Sequence, residues 1–240
     1  MARLTVSNMH KRFWPLEWAG FRRRLRRLIF PVWMGSLRST NPISSGWGFD
    51  RGRPVDRYYI DSFLEVHSQY IRGRVLEILN SDYTRRFGSR IEQADILDID
   101  PTNQKATFIA DLAAADSIPD DLFDCFILTQ TLQLIYDVKS AVAHAHRILR
   151  PGGVLLVTIP TVSRLAGEGY TDYWRFTPDS CARLFGEIFG PDQVTTTAYG
   201  NVLSAVAFLE GLASEELSKR ELDVRDERYP VLMTIRAVKK

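Results

Sequence analysis

From Gly73 onward the apolar residues gather into short, nearly continuous runs: Val75 to Leu79, Ile96 to Ile99, Ala106 to Ala110, Phe123 to Thr129 and Val154 to Ile159. Polar or helix-period stretches separate them. Runs of this length without strict alternation suit strands buried on both faces of a parallel sheet. Before the fifth run lies the clearest helix pattern, Val138 to Leu149, with Val138, Ala141, Val142, Ala145, Ile148 and Leu149 on one face. Pro151, Gly152 and Gly153 stop and turn it. Helix, sharp turn and buried strand form one α/β unit. Two later runs, Gln193 to Ala198 and Val231 to Val238, predict strands that flank helical segments and close the sheet with an antiparallel pair. Upstream, a Gly-, Pro-, Ser- and Asn-rich linker over 40–54 precedes a helix expected from about Asp56 to Tyr70.

The first 40 residues follow a different pattern. Phe21, Leu25, Leu28 and Ile29 share one stripe of a helix, Arg22, Arg23, Arg24, Arg26 and Arg27 interleave with them, and Trp14, Trp18 and Trp33 flank the segment. One reading of residues 10–38 is an in-plane helix on an anionic membrane surface. Another is a helix that packs its stripe on the following domain; an arm for nucleic acid is weaker, and no nucleic-acid partner is expected. A secretory signal is not expected, because the apolar part Leu28 to Met34 is short and interrupted by Pro31.

Charge sharpens this division. The net charge is only +2, but residues 1–40 hold nine Lys/Arg against one acid, while the other 200 hold 22 bases and 28 acids. A basic N-terminal extension (1–40) and a mildly acidic domain (41–240) are therefore expected. No apolar stretch approaches the ~18 residues of a membrane span. Two cysteines, Cys125 and Cys181, make neither a disulfide framework nor a paired-cysteine metal motif, and a cytoplasmic setting is expected.

In an open parallel sheet, ligands bind beyond the carboxyl ends of the strands. The first run leads through Glu77 to Asn80, Ser81 and Asp82; the second ends in Asp98-Ile99-Asp100; the third in Asp111; the fourth in Thr129-Gln130-Thr131. An acid about 20 residues beyond the first strand is where nucleotide-binding units meet ribose hydroxyls, and Asp100, nearest the expected strand end, is preferred to Asp98. Each of these acids also suits a helix cap.

The motif order RVLEI, LDIDP, ADL, FDCFILTQTLQLIYD, HRILRPGGVLLVTIP resembles the class I S-adenosylmethionine-dependent methyltransferases, over roughly Gly73 to Pro160. The resemblance implies a three-layer α/β fold with a seven-stranded, mostly parallel sheet whose last strand is antiparallel, and S-adenosylmethionine across the ends of the first four strands. By the same resemblance Glu77 ends the first motif, Asp100 holds the ribose, Asp111 and Leu112 meet the adenine, and Thr129 faces the methionine part, with Gln130 beside it also expected to bind the cofactor. The family's glycine loop is missing. Leu79, Ser81 and Tyr83 occupy its three glycine positions, so the turn is expected to follow another path, with Asn80, Ser81 or Asp82 capping the next helix and pointing amides at the ligand. A subgroup of methyltransferase-like proteins encoded with sugar-transferring enzymes looks similar here. It shares the WGFDRGxPxDRYYI pattern at Trp47 to Ile60, open at Arg53 and Val55, and the DYWRFTP segment at Asp172 to Pro178.

After the fifth run comes a long polar segment with Gly167 and Gly169, a candidate mobile cover over an acceptor pocket. There Asp172 or Tyr170 is the expected proton acceptor, and Tyr173, Trp174 and Arg175, with Tyr58 from the earlier segment, the expected substrate contacts. Trp174 and Phe176 equally suit anchors of the loop, with Thr177 capping a helix that begins at Pro178. No metal set is expected, since the four histidines are isolated or face apart. The leading expectation is methyl transfer to a small-molecule or glycan-type acceptor. The alternatives are a catalytically silent binding or scaffold protein and, more weakly, a nicotinamide-dependent oxidoreductase.

Overall fold

The computed structural model describes residues 16–29, 34–167 and 169–240, which divide into a unit at Met1–Thr40 and a unit at Asn41–Lys240. In the first, α1 (Leu16–Ile29) is helical as its periodicity predicts, and Phe21, Leu25, Leu28 and Ile29 are all exposed. Trp14 and Trp33 lie outside the described residues. No described helix is long and apolar enough to cross a membrane.

The second unit is built on one seven-stranded sheet: β1 (Gly73–Ile78), β2 (Ile91–Asp98), β3 (Phe108–Ile109), β4 (Phe123–Thr129), β5 (Leu149–Pro160), β6 (Val194–Tyr199) and β7 (Leu232–Val238). The spatial order is β3-β2-β1-β4-β5-β7-β6, and β7 runs antiparallel to both of its neighbours. The central runs are continuously apolar because both faces are covered: Val75, Leu76, Cys125 to Leu128 and Leu155 to Val157 are inaccessible to solvent. The helices are α2 (Val55–Val66), α3 (Asp82–Phe87), α4 (Val138–Ile148), α5 (Pro178–Phe189), α6 (Val202–Leu209) and α7 (Lys219–Asp223). Side chains of α4 and α5 join one core cluster; those of α2, α6 and α7 join the other. Thr177 caps α5 through a reciprocal bond with Ser180, and Pro178 occupies its first turn.

Several boundaries depart from the periodicity: β2 begins at Ile91 and β5 at Leu149, ahead of their apolar runs, so that β5 takes in Pro151, Gly152 and Gly153 where a turn was expected. The helix expected to reach Tyr70 stops at Val66 and passes into a tighter turn at Ser68–Tyr70. The third strand shrinks from five residues to two, because it pairs only with β2, through Phe108 and Ile109, at the sheet edge.

The linker of 40–54 is a structured strap. The Ser44 N–H donates to the Glu210 carbonyl (2.9 Å), Ser214 N–H donates to the Arg53 carbonyl (2.6 Å), and Pro54 forms an antiparallel bridge with Ala213. Gly211, at φ 70°, is the contact that permits this, since a β-carbon there would strike the Ser44 carbonyl oxygen.

Candidate functional site

Beyond the carboxyl ends of β1 to β4 lies a cavity of about 1190 Å³. Its floor comes from the strand ends: Glu77 and Ile78, Leu97 and Asp98, then Ala110, Asp111, Leu112, Thr129 and Gln130. Its walls are the turn after β1, α3, the strap at Phe49 to Arg57 with Glu215, and the loop at Gly169 to Tyr173.

The turn after β1 replaces the glycine loop in a specific way. Leu79 takes the left-handed conformation (φ 69°), its N–H donates to the Leu97 carbonyl (3.0 Å), and its carbonyl accepts from Asn103 Nδ2 (2.9 Å). Tyr83 needs no positive φ because it already lies in α3, its ring stacked on Phe87 and beneath the Arg86 guanidinium. It lines the cavity and leaves the rest open. Glu77, 2% exposed, holds the start of α3 by accepting from the N–H groups of Tyr83 (3.0 Å) and Thr84 (2.7 Å) and from the Thr84 hydroxyl (2.7 Å). Burial nevertheless pushes its carboxyl above the usual range.

Asp98, rather than Asp100, reaches the cavity. Asp98 closes β2, accepts from Asn103 Nδ2 at 2.7 Å and lines the floor; the chain then turns, and the exposed Asp100 accepts from both the N–H (2.8 Å) and the hydroxyl (2.7 Å) of Thr102. Asn80 lines the cavity while its side chain accepts from the Asp82 N–H (2.9 Å); Ser81 does not line it and makes no side-chain cap. Asp111 and Leu112 do line it, with Asp111 capping the turn that follows (2.9 Å to Ala113 N–H). Beyond Thr129, Gln130 has φ 49°, and its buried Nε2 has no hydrogen-bond partner among the described residues.

The loop after β5 rearranges the expected acceptor side. Tyr170 and Tyr173 line the cavity, but Asp172, Trp174 and Arg175 do not. Asp172 is clamped by Arg175 (2.5 and 2.9 Å) and by the Ala166 N–H (2.9 Å), and the guanidinium holds its carboxyl below the usual range. An acid so stabilised as its anion is a poor proton acceptor. Trp174 stacks on Tyr136 and donates to the Ile135 carbonyl (3.0 Å), so it anchors the loop. Tyr58 also faces elsewhere, donating to Asp223 at 2.6 Å. Arg53, Arg57 and Arg86, absent from the sequence-based site, line the cavity instead. The signal for the first two lay in the basic RGRPVDR stretch, Arg51 to Arg57. Among the described residues no group of His, Cys, Asp and Glu side chains could hold a metal ion.

Comparison with known proteins bears on the fold. Residues 71–157 match the family model described as a methyltransferase domain. No curated protein matches the chain. A SAM-dependent methyltransferase from Archaeoglobus fulgidus superposes with a TM-score of 0.52 at 14% identity, covering 76% of this chain and 94% of its own. A second, from Mesorhizobium loti, gives 0.48 at 14% identity, covering 80% and 100%. The Burkholderia thailandensis 1,6-didemethyltoxoflavin-N1-methyltransferase, solved with 1,6-didemethyltoxoflavin and S-adenosylhomocysteine, gives 0.48 at 15% identity, covering 76% and 77%. At such identities the likeness is one of fold.

Proposed function

We propose, from the premise that this chain carries a methyltransferase domain of the class I S-adenosylmethionine-dependent type, that it transfers a methyl group to a small-molecule or glycan-type acceptor. The observation that carries this is the convergence of Glu77, Asp98, Asp111 and Thr129, from the ends of neighbouring parallel strands, on one cavity. The residues present fit the cofactor. Asp98 suits the ribose hydroxyls, a role the resemblance gave to Asp100. Asp111 suits the adenine edge, and Leu97, Ile99, Ala110 and Leu112 offer the base an apolar wall. At the other end Asn80, Thr129 and Gln130 supply polar groups, and the unpartnered Gln130 amide is a donor in need of an acceptor.

When bound, S-adenosylmethionine supplies an electrophilic methyl group on sulfur. The chain's own contribution is to align the acceptor, exclude water and manage any proton released. With Asp172 committed to Arg175, the hydroxyls left on this side of the wall are those of Tyr170, Thr171 and Tyr173. Tyr170 orients the acceptor by a hydrogen bond, and the site suits an atom that is nucleophilic without a strong general base. Titration calorimetry with S-adenosylmethionine and, separately, NAD tests the proposal: binding of the first and not the second is expected, and no heat with the sulfonium overturns it. A silent binding role is favoured by one observation, the lack of glycine in the turn after β1. Binding without turnover against a panel of acceptors would select it.

We further infer that residues 10–38 contact anionic membrane, supported by the exposed apolar stripe of α1 interleaved with exposed Arg22, Arg24, Arg26 and Arg27.

A further inference from the structure

The part of the cavity enclosed by the strap and α3 is lined by three guanidiniums. Arg53 and Arg57 come from the strap and the first turn of α2, Arg86 from α3, and Phe49 and Tyr83 stand among them. The acids around them do not use up their donors. Arg53 and Arg86 share a single oxygen of Asp61, whose other oxygen is buried without a partner. Arg57 meets Asp56 through one nitrogen at 3.3 Å. Glu215 turns to the backbone, accepting from the Arg53 N–H at 3.0 Å, and Asp82 pairs with Arg85. Arg53 also donates to the Arg57 carbonyl at 2.9 Å; each guanidinium carries five N–H donors, so most still remain for a ligand. The crowding leaves a mark: burial and then the neighbouring Arg86 push the Arg53 guanidinium below its ordinary value. Such a convergence outside the strand-end acids is built for an oxyanion with several acceptor oxygens.

We propose that Arg53, Arg57 and Arg86 form an acceptor subsite for a phosphoryl group, so that the methyl acceptor is a phosphorylated molecule. This rests on the methyltransferase reading, and deepens it by naming the acceptor's class. Planar Tyr83 and Phe49 beside the arginines suit the ring or carbon skeleton that bears the phosphate.

The test measures inorganic phosphate and S-adenosylhomocysteine binding by calorimetry on the full chain, its R57Q variant and the R57Q/R86Q double variant. Phosphate is expected to bind the parent chain and to weaken roughly tenfold or more in the double variant, with S-adenosylhomocysteine affinity unchanged. Two arms identify the source of the group. Displacement of phosphate by glycerol 3-phosphate supports a soluble phosphoester. Sedimentation with phosphatidic-acid vesicles that falls in the double variant supports a lipid headgroup. Phosphate affinity unaffected by the substitutions overturns the proposal. So does an equal loss of S-adenosylhomocysteine, which would assign the arginines to the cofactor's own carboxylate. R57Q, which removes only one long ion pair, carries the test if the double variant does not fold. Failure of S-adenosylhomocysteine to bind the parent chain overturns the methyltransferase reading instead, and is distinguished by phosphate binding that persists.

Discussion

At Leu79 a branched side chain holds a conformation that glycine adopts freely. Relief of the left-handed strain, on the order of 1–2 kcal/mol, outweighs the extra unfolded-state entropy of glycine, so Leu79→Gly is expected to stabilise the fold by about 0.5–1 kcal/mol. Because Leu79 is 56% exposed, little burial is lost; urea unfolding measures the gain. A second residue-scale prediction separates two acids two positions apart. Asp98→Ala is expected to weaken S-adenosylmethionine by about 1–3 kcal/mol, and Asp100→Ala to leave it unchanged, as read by calorimetry. Sequence spacing could not choose between them. Residues i and i+2 of a strand share a face, so only the point at which β2 ends decides which carboxylate stays over the cavity. The same limit misplaced Asp172. An Asp beside Tyr and Trp in a loop reads as chemistry, and only the Arg175 guanidinium three residues on reveals a clamp.

The loop after β5 is the element whose stability this clamp controls. Asp172 has a folded-state pKa below its unfolded value, so its contribution is present above about pH 4 and is lost as pH falls through the depressed folded value. Asp172→Asn is therefore expected to lower stability by about 2 kcal/mol at neutral pH, the worth of a charge-assisted, nearly buried pair, and the difference from the parent chain should vanish in acid. Thermal unfolding of both chains across pH checks the sign. Most elements of the sheet were legible in advance, because a strand covered on both faces must be continuously apolar, as Cys125 to Leu128 shows, and a helix covered on one must repeat, as Val138 to Ile148 does. Less legible were elements defined by partners far along the chain. The Gly- and Pro-rich text of the strap reads as a linker, and nothing local announces its bonds to Glu210, Ala213 and Ser214.

For the molecule as a whole, the charge division between residues 1–40 and the remainder coincides with the boundary between its two units. Removal of 1–40 is expected to abolish sedimentation with anionic vesicles while the melting temperature of the sheet domain stays the same. A truncated chain that aggregates would assign the Phe21, Leu25, Leu28 and Ile29 stripe to internal packing instead. The acids at the strand tips come almost entirely from one contiguous third of the sequence, but the arginine wall does not. Arg53 and Arg57 are held over the cavity through a strap fastened to residues 210–214, far downstream in the sequence. During synthesis the nucleotide side of the hollow is therefore encoded long before the opposite rim can be tied down. A ribosome halted near residue 200 would display the β1 to β4 tips without a fastened strap, and the arginine wall could be tied down only once residues 210–214 had emerged.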